Sequence, residues 1–191
     1  MDKKIDSLIK NWQKRNIAGF YCANKNESTE KLLELIPVSA SIGLSGSVTL
    51  SELEVVSRME ARGNQVFNQD KPGISREESM KLRQLGALAD YYLTSANAIS
   101  LNGEMVFLSA WGHRVAGIAN AKNVIVVCGV NKLTTDLDAG IKRAKEYATP
   151  LNYKRLNWDK SRQMCCQVLI IEAEVRPERM KVILVGENLG F

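Results

Sequence analysis

The chain has 191 residues, 45% of them hydrophobic and 25% charged, with a formal net charge of +5 and a single histidine. That length suits one domain with a sizeable core. The composition excludes a disordered chain, and no apolar run reaches the length needed to span a bilayer.

The N-terminus, Met1 through Asp6, is charged and lacks the apolar stretch of a secretory signal, so a cytoplasmic location is expected. Cys22, Cys128, Cys165 and Cys166 form no Cys-x-x-Cys pair. With only His113 beside them, neither a zinc site nor a disulfide scaffold is expected. The positive charge suits an anionic partner, but no nucleic-acid motif accompanies it, and nucleic-acid binding is not expected. Lys3, Lys4, Lys10, Lys14 and Arg15 read more simply as one solvated helix face.

Ile5, Leu8, Ile9 and Trp12 recur at helical spacing, which predicts an amphipathic helix over residues 2–15. An apolar strand over 17–23 follows, then a helix from Ser28 to Ile36 that stops at Pro37. Ala40 to Leu44 reads as a strand. Thr49 with Glu52 suggests a capping box opening a helix that Gly63 closes. Gln65 to Asn68 is a strand, and Ser75 with Glu78 opens another helix that reaches about Leu88.

Tyr91 to Ser95 is predicted as a strand, and Asn102-Gly103 lies between two apolar arms as a hairpin turn. Arg114 to Asn120 is a short helix, and residues 124–128 are the clearest buried strand. Thr135 to Tyr147 is helical, with Pro150 ending it. Val168 to Ile171 and Lys181 to Val185 are late strands, expected to pair antiparallel around the Arg176-Pro177-Glu178 turn. The alternation implies an α/β fold: three layers, a mainly parallel sheet, helices on both faces and that late antiparallel pair.

In such sheets ligands bind beyond the carboxyl ends of the strands. Gly43, Ser45, Gly46, Ser47 and Thr49 form a Gly/Ser loop between a strand and a helix, where backbone N–H groups and hydroxyls can meet an anion; a tight turn with nothing bound is an equal reading. The loop lacks the Gly-Lys-Ser/Thr ending of a Walker loop. Asn97 follows a strand directly, and Glu104 follows the Asn-Gly turn. Arg114 can grip a carboxylate or phosphate with two parallel bonds, and its neighbour His113 could move a proton. Asn131 and Lys132 follow the buried strand at 124–128, where lysine can neutralise an anion or, desolvated, react. Each of these has a plainer alternative as a cap or a surface residue.

Taken in order, Gly43-x-Ser45-Gly46-Ser47-Val48-Thr49-Leu50, Asn97-Ala98-Ile99, Asn102-Gly103-Glu104, Gly112-His113-Arg114-Val115-Ala116, Val130-Asn131-Lys132, Ala148-x-Pro150-Leu151-Asn152 and Ile183 through Phe191 resemble the LUD-domain family of lactate-utilisation proteins, C-subunit type. The resemblance covers most of the chain. It implies a single LUD domain over residues 1–191, with 1–40 a helix-and-strand lead-in and 41–191 a core carrying ligand loops. It also implies the fold of ribose-5-phosphate isomerases, glucosamine-6-phosphate deaminases and coenzyme A transferases. The implied role is oxidation of L-lactate to pyruvate together with iron–sulfur partner proteins, and a homo-oligomer is compatible with it. The alternatives are a stand-alone sugar-phosphate or acyl-transfer enzyme of the same fold, or a non-catalytic sensing or assembly subunit.

Two departures from the family pattern carry weight. Asn often stands where this chain has His113, which argues against a general catalytic role there. The stretch from Asn157 to Cys166 also lacks the spaced cysteines of many members. No cofactor is therefore expected in this chain, and any iron–sulfur clusters would reside on partners. Ser95-Ala96-Asn97-Ala98-Ile99 is in addition similar to a segment of methylthioribose-1-phosphate isomerases that carries Asp where this chain has Asn97. An amide cannot act as that carboxylate base.

Overall fold

The computed structural model describes residues 2–159, 161 and 163–191; Met1 of the N-terminal segment and Lys160 and Arg162 of the cysteine-poor stretch lie outside the described residues. The chain opens with α1 (Lys3–Lys14), capped by the Asp2 carboxylate on the Lys4 amide, then β1 (Ala18–Cys22) and α2 (Lys25–Leu35). The N-cap of α2 is Asn24, so this helix starts before Ser28, whose hydroxyl bonds back to the Lys25 carbonyl. β2 (Ile42–Leu44), α3 (Val48–Glu52), α4 (Val55–Ala61), β3 (Val66–Phe67) and α5 (Arg76–Gly86) follow. After them come β4 (Tyr91–Thr94), β5 (Ala98–Ser100), β6 (Met105–Ser109), α6 (His113–Asn120) and β7 (Asn123–Gly129). A 3₁₀ turn at Val130–Lys132 leads to β8 (Leu133–Thr134), α7 (Leu137–Arg143), a π turn at Ala144–Ala148 and α8 (Thr149–Arg155), and the chain closes with β9 (Gln167–Ile171) and β10 (Met180–Val185).

Six strands form a parallel sheet in the order β1-β10-β7-β4-β2-β3. In β7, Val124, Val126 and Cys128 face one layer while Ile125 and Val127 face the other, as period-two alternation requires. The second layer is built from α2, α3 and α4, through Leu32, Leu50 and Met59. The first holds Leu8 and Trp12 of α1 and Ile118 of α6, together with Ile99, Met105 and Phe107. Those last three belong to a second, mixed sheet in the order β8-β5-β6-β9, whose other face carries α7. The core has helices on both faces of the parallel sheet, as expected, but one face shares its cover with that second sheet.

Three local expectations change. The late strands do not pair with each other. β10 lies between β1 and β7, parallel to both, and β9 pairs antiparallel with β6. Their burial explains the choice: β10 is covered on both faces, as a central parallel strand must be, whereas β9 is half-exposed and suits an edge. The cap of α3 is Ser47, not Thr49; the Ser47 hydroxyl accepts from the Leu50 amide. The helix then breaks at Glu54, which adopts φ +51°, before α4. Pro150 does not end a helix. The helix runs through it: Ala148 keeps helical angles, and the widened π turn at Ala144–Ala148 comes just before the proline in the first turn of α8. The Asn102-Gly103 turn does join β5 to β6, and α1 is tied to it: Trp12 Nε1 donates to the Gly103 carbonyl at 3.1 Å.

Candidate functional site: a cationic cleft at the strand ends

Because all six strands of the main sheet run the same way, the segments that follow β2, β4, β7 and β10 converge on one edge. They enclose a cleft of about 740 Å³. Gly46, Ser47 and Thr49 come from the first segment, Ser95 and Asn97 from the second, Lys132 from the third and Gly190 from the fourth. His113 and Arg114, at the start of α6, close one side, and Asn152 of α8 lines another part of the wall.

Lys132 is buried, with 3% of its surface exposed. Its Nζ donates to Ser95 Oγ at 2.8 Å and to Thr49 Oγ1 at 3.0 Å. Among the described residues no carboxylate comes within 4.0 Å of it. Burial, reinforced by the nearby Arg143 and Arg114 cations, pushes its pKa down to about 8.

Arg114 is half-buried and also lacks a carboxylate partner among the described residues. It donates to the carbonyls of Gly46 at 2.7 Å and Leu108 at 2.8 Å and to Asn97 Oδ1 at 3.3 Å, so it bridges the Gly46 loop to β6. Asn97 Oδ1 accepts in addition from the Leu108 amide at 2.8 Å, and the Asn97 carbonyl accepts from Arg143. The polar wall is thus held by backbone and hydroxyl acceptors; Asp70, which also lines the cleft, pairs with Arg83 at 3.9 Å, and among the described residues the Lys132 and Arg114 charges have no carboxylate within 4.0 Å. That arrangement suits an anion.

His113 is not poised to titrate near neutrality. Burial first, then the Arg83 and Arg114 cations, pushes its pKa down from 6.5 to about 4, and Arg83 Nη1 lies 3.0 Å from its Nε2. A depressed folded-state pKa means that native stability falls as pH drops from 6.5 through about 4, where the unfolded chain takes the proton first. His113 is the only histidine, so its imidazole resonance identifies itself. An NMR titration is expected to give a midpoint well below 6.5, moving part of the way back in Arg83→Met. An unchanged midpoint in that variant would show that Arg83 has no hold on the ring.

Four of the residues singled out from the sequence have other work. Gly43 is where α5 meets β2: a Cβ there would lie 1.9 Å from the Gly86 carbonyl oxygen. Ser45 is buried and bonded to Thr94 Oγ1 at 2.8 Å. Asn131 pins the C-terminal segment, accepting from the Leu189 amide at 3.1 Å and donating to the Gly190 carbonyl at 3.2 Å. Glu104 does not line the cleft. It accepts from Arg15 at 2.6 Å and from the Ser100 hydroxyl; burial pushes its carboxyl up, and these bonds more than offset that, holding it below the usual range.

Gly46, Ser47, Thr49, Asn97, Arg114 and Lys132 do come together. Residues not read from the sequence as site residues include Asp70, Ser95, Arg83, Asn152 and Arg155, which line the cleft, and Arg143, which bonds the Asn97 carbonyl behind it. Ser95 could have been found by the same strand-end rule that selected Asn97, whereas nothing in the sequence of α7 marks Arg143 as a neighbour of Lys132.

A Cβ at Gly46 would meet only Asp70 Oδ2, at 3.4 Å, and the backbone there needs no left-handed angle. Gly46→Val is therefore expected to fold normally while its side chain crowds the anion's approach to the loop. Thermal melting with and without phosphate or pyruvate checks this; equal stabilisation of variant and parent would count against the loop.

A parallel sheet with helices on both faces and a charged cleft at its carboxyl edge defines the class of protein: an α/β fold with a candidate ligand cleft at its strand ends. Comparison with known proteins narrows it. The sequence model of the LUD domain matches residues 5–185, so the chain belongs to the LUD-domain family. The crystal structure of a DUF162 family protein from Deinococcus radiodurans is similar, with a TM-score of 0.56 at 14% identity over 96% of this chain and 94% of that one, a likeness of fold alone. A search of the curated proteins matches none. No helix among the described residues is long and apolar enough to cross a membrane.

Proposed function

We propose that this LUD-domain chain takes part in L-lactate utilisation, binding a small carboxylate- or phosphate-bearing anion in the cleft. Iron–sulfur partner proteins then carry away the two electrons released as lactate becomes pyruvate. Family membership supports the lactate role. The observation that carries the anion is the pair Lys132 and Arg114, lining one cleft with no carboxylate within 4.0 Å among the described residues. A buried cation without a counter-ion costs several kcal/mol, on the order given for desolvating one ion, and a bound anion offsets that cost.

Thermal melting of the purified chain with L-lactate, pyruvate and inorganic phosphate tests the reading. At least one should raise the melting temperature in a saturable way; no effect from all three would contradict it. Turnover of L-lactate by the isolated chain with an artificial electron acceptor separates an enzyme from a subunit that needs partners.

The isolated chain is expected to carry no iron–sulfur cluster. Cys22 and Cys128 are buried in the two core layers, and Cys165 and Cys166 are adjacent in sequence, so the four supply no common ligand set. Stoichiometric iron and sulfide on anaerobically purified protein would overturn that.

One observation favours a second reading, a sugar-phosphate or acyl-transfer enzyme of the same fold. A cleft of about 740 Å³ is far larger than a three-carbon acid requires. A phosphorylated sugar that stabilised the chain more than pyruvate or lactate at equal concentration would support it.

A further inference from the structure

We propose that Lys132 is a carbonyl-capturing lysine, whose Nζ condenses with the keto carbon of a 2-oxo acid while Arg114 receives that acid's carboxylate. This rests on the reading that the cleft takes small carboxylates, and adds a covalent step to it.

The surroundings of Nζ distinguish it from a lysine that only supplies charge. A lysine paired to a carboxylate is held as the ammonium, with its lone pair occupied by a proton. Lys132 instead contacts two hydroxyls, Ser95 Oγ at 2.8 Å and Thr49 Oγ1 at 3.0 Å. A hydroxyl accepts from an ammonium and, turned, donates to a free amine or to a carbonyl oxygen. Both protonation states of Lys132 are therefore accommodated without moving the chain. The two hydroxyls are also 3.2 Å from each other, which gives a proton a short route between nitrogen and an incoming oxygen.

Burial first, then the nearby Arg143 and Arg114 cations, lowers the Lys132 pKa to about 8, so a minor share of the free, nucleophilic amine is present near neutrality. The second anchor is at hand: a guanidinium has five N–H donors, and three contacts of Arg114 are with protein acceptors, at Gly46, Leu108 and Asn97. The remaining donors suit a carboxylate.

The step balances without an outside reagent. The neutral amine attacks the keto carbon, a C–N bond forms, and the carbonyl π pair moves onto oxygen. Two of the three protons that Lys132 carries as an ammonium end on that oxygen, passed along Ser95 and Thr49. Water leaves as the C–O bond breaks, and a protonated imine with one N–H remains. Nothing is oxidised or reduced, and hydration reverses the step.

Borohydride trapping tests this on the whole chain. Pyruvate and borohydride are added to the parent, and intact mass and peptide mapping are read. The expected product is a single adduct, on the peptide containing Lys132, heavier by the mass of pyruvate less one oxygen atom. Lys132→Arg, which keeps the charge but has no amine to condense, should not form it. Acetone, which lacks the carboxylate, should trap at least about tenfold less efficiently, the effect of losing roughly 1.4 kcal/mol of binding. The mapping on the parent stands even if the variant folds poorly. Adducts scattered over many lysines, at equal level in parent and Lys132→Arg, would overturn the proposal. Calorimetric binding of pyruvate without any adduct would overturn the imine and leave the anion site standing, whereas neither binding nor adduct would remove both.

Discussion

Lys132→Met is expected to unfold at a higher temperature than the parent at pH 7, and at the same time to lose its stabilisation by anions. Burial depresses the Lys132 pKa from 10.5 to about 8, so below pH 8 the folded chain holds an ammonium that the unfolded chain accommodates more cheaply. Each unit of such depression corresponds to about 1.4 kcal/mol. After allowing for the two hydrogen bonds lost, a gain of about 1–2 kcal/mol is expected in the variant.

Ser95 and Thr49 are not stranded by the change, because their hydroxyls are already 3.2 Å apart and can pair. The sign with pH is fixed. The penalty is full below about 8, shrinks as the folded parent releases its proton, and is gone above 10.5. Urea denaturation of parent and variant at pH 7 and near pH 10 should show the gap closing. A variant clearly less stable than the parent at pH 7 would mean that the ammonium supports the fold.

Arg114→Met is expected to act in the opposite direction, although it removes a cation from the same cleft. Arg114 holds the Gly46 carbonyl at 2.7 Å and the Leu108 carbonyl at 2.8 Å, and through them joins the Gly46 loop to β6. Methionine fills part of the space but donates nothing, and each acceptor left without a partner costs about 1–3 kcal/mol. A loss of several kcal/mol on urea denaturation is therefore expected, along with loss of anion binding. A variant as stable as the parent would show that water reaches those carbonyls and that Arg114 serves the ligand alone. The contrast between the two variants separates a residue placed for a ligand from one that also builds the wall.

The parts of the fold that were legible are those decided within a few residues. The Ser75 cap of α5 is fixed by its own hydroxyl on the Glu78 amide, and the Asn102-Gly103 turn by glycine's φ of +109°. The misreadings arise where a distant partner decides. Thr49 has the right residue type for a cap, but Ser47 two positions earlier takes the Leu50 amide, and the Thr49 hydroxyl is claimed by Lys132, 83 residues away. The partners of β9 and β10 are likewise set by which face each must bury. Ile183, Leu184 and Val185 are apolar without alternation, a signal for a central parallel strand that was present in the sequence.

At the site, the rule that parallel strands present ligands at their carboxyl ends points to Gly46, Asn97 and Lys132 from the sequence alone. It also points to Gly43, Ser45 and Asn131, which lie at the same edge but serve packing and the C-terminal segment. The strand-end rule gives the edge of the sheet, not the direction of each side chain; Glu104, read from the Asn-Gly turn, is carried by that turn to Arg15 instead of the cleft.

The most direct measurement is a calorimetric titration, at pH 7, of whichever of phosphate, pyruvate or L-lactate stabilises the parent. It is run in parallel on the parent, on Lys132→Met and on Lys10→Met, whose lysine is exposed on α1. The expected result is saturable binding to the parent and to Lys10→Met with equal affinity, and binding weaker by about 1.5–3 kcal/mol in Lys132→Met, the range for a hydrogen bond to a charged group. Equal affinity in all three proteins would contradict an anion site built on Lys132.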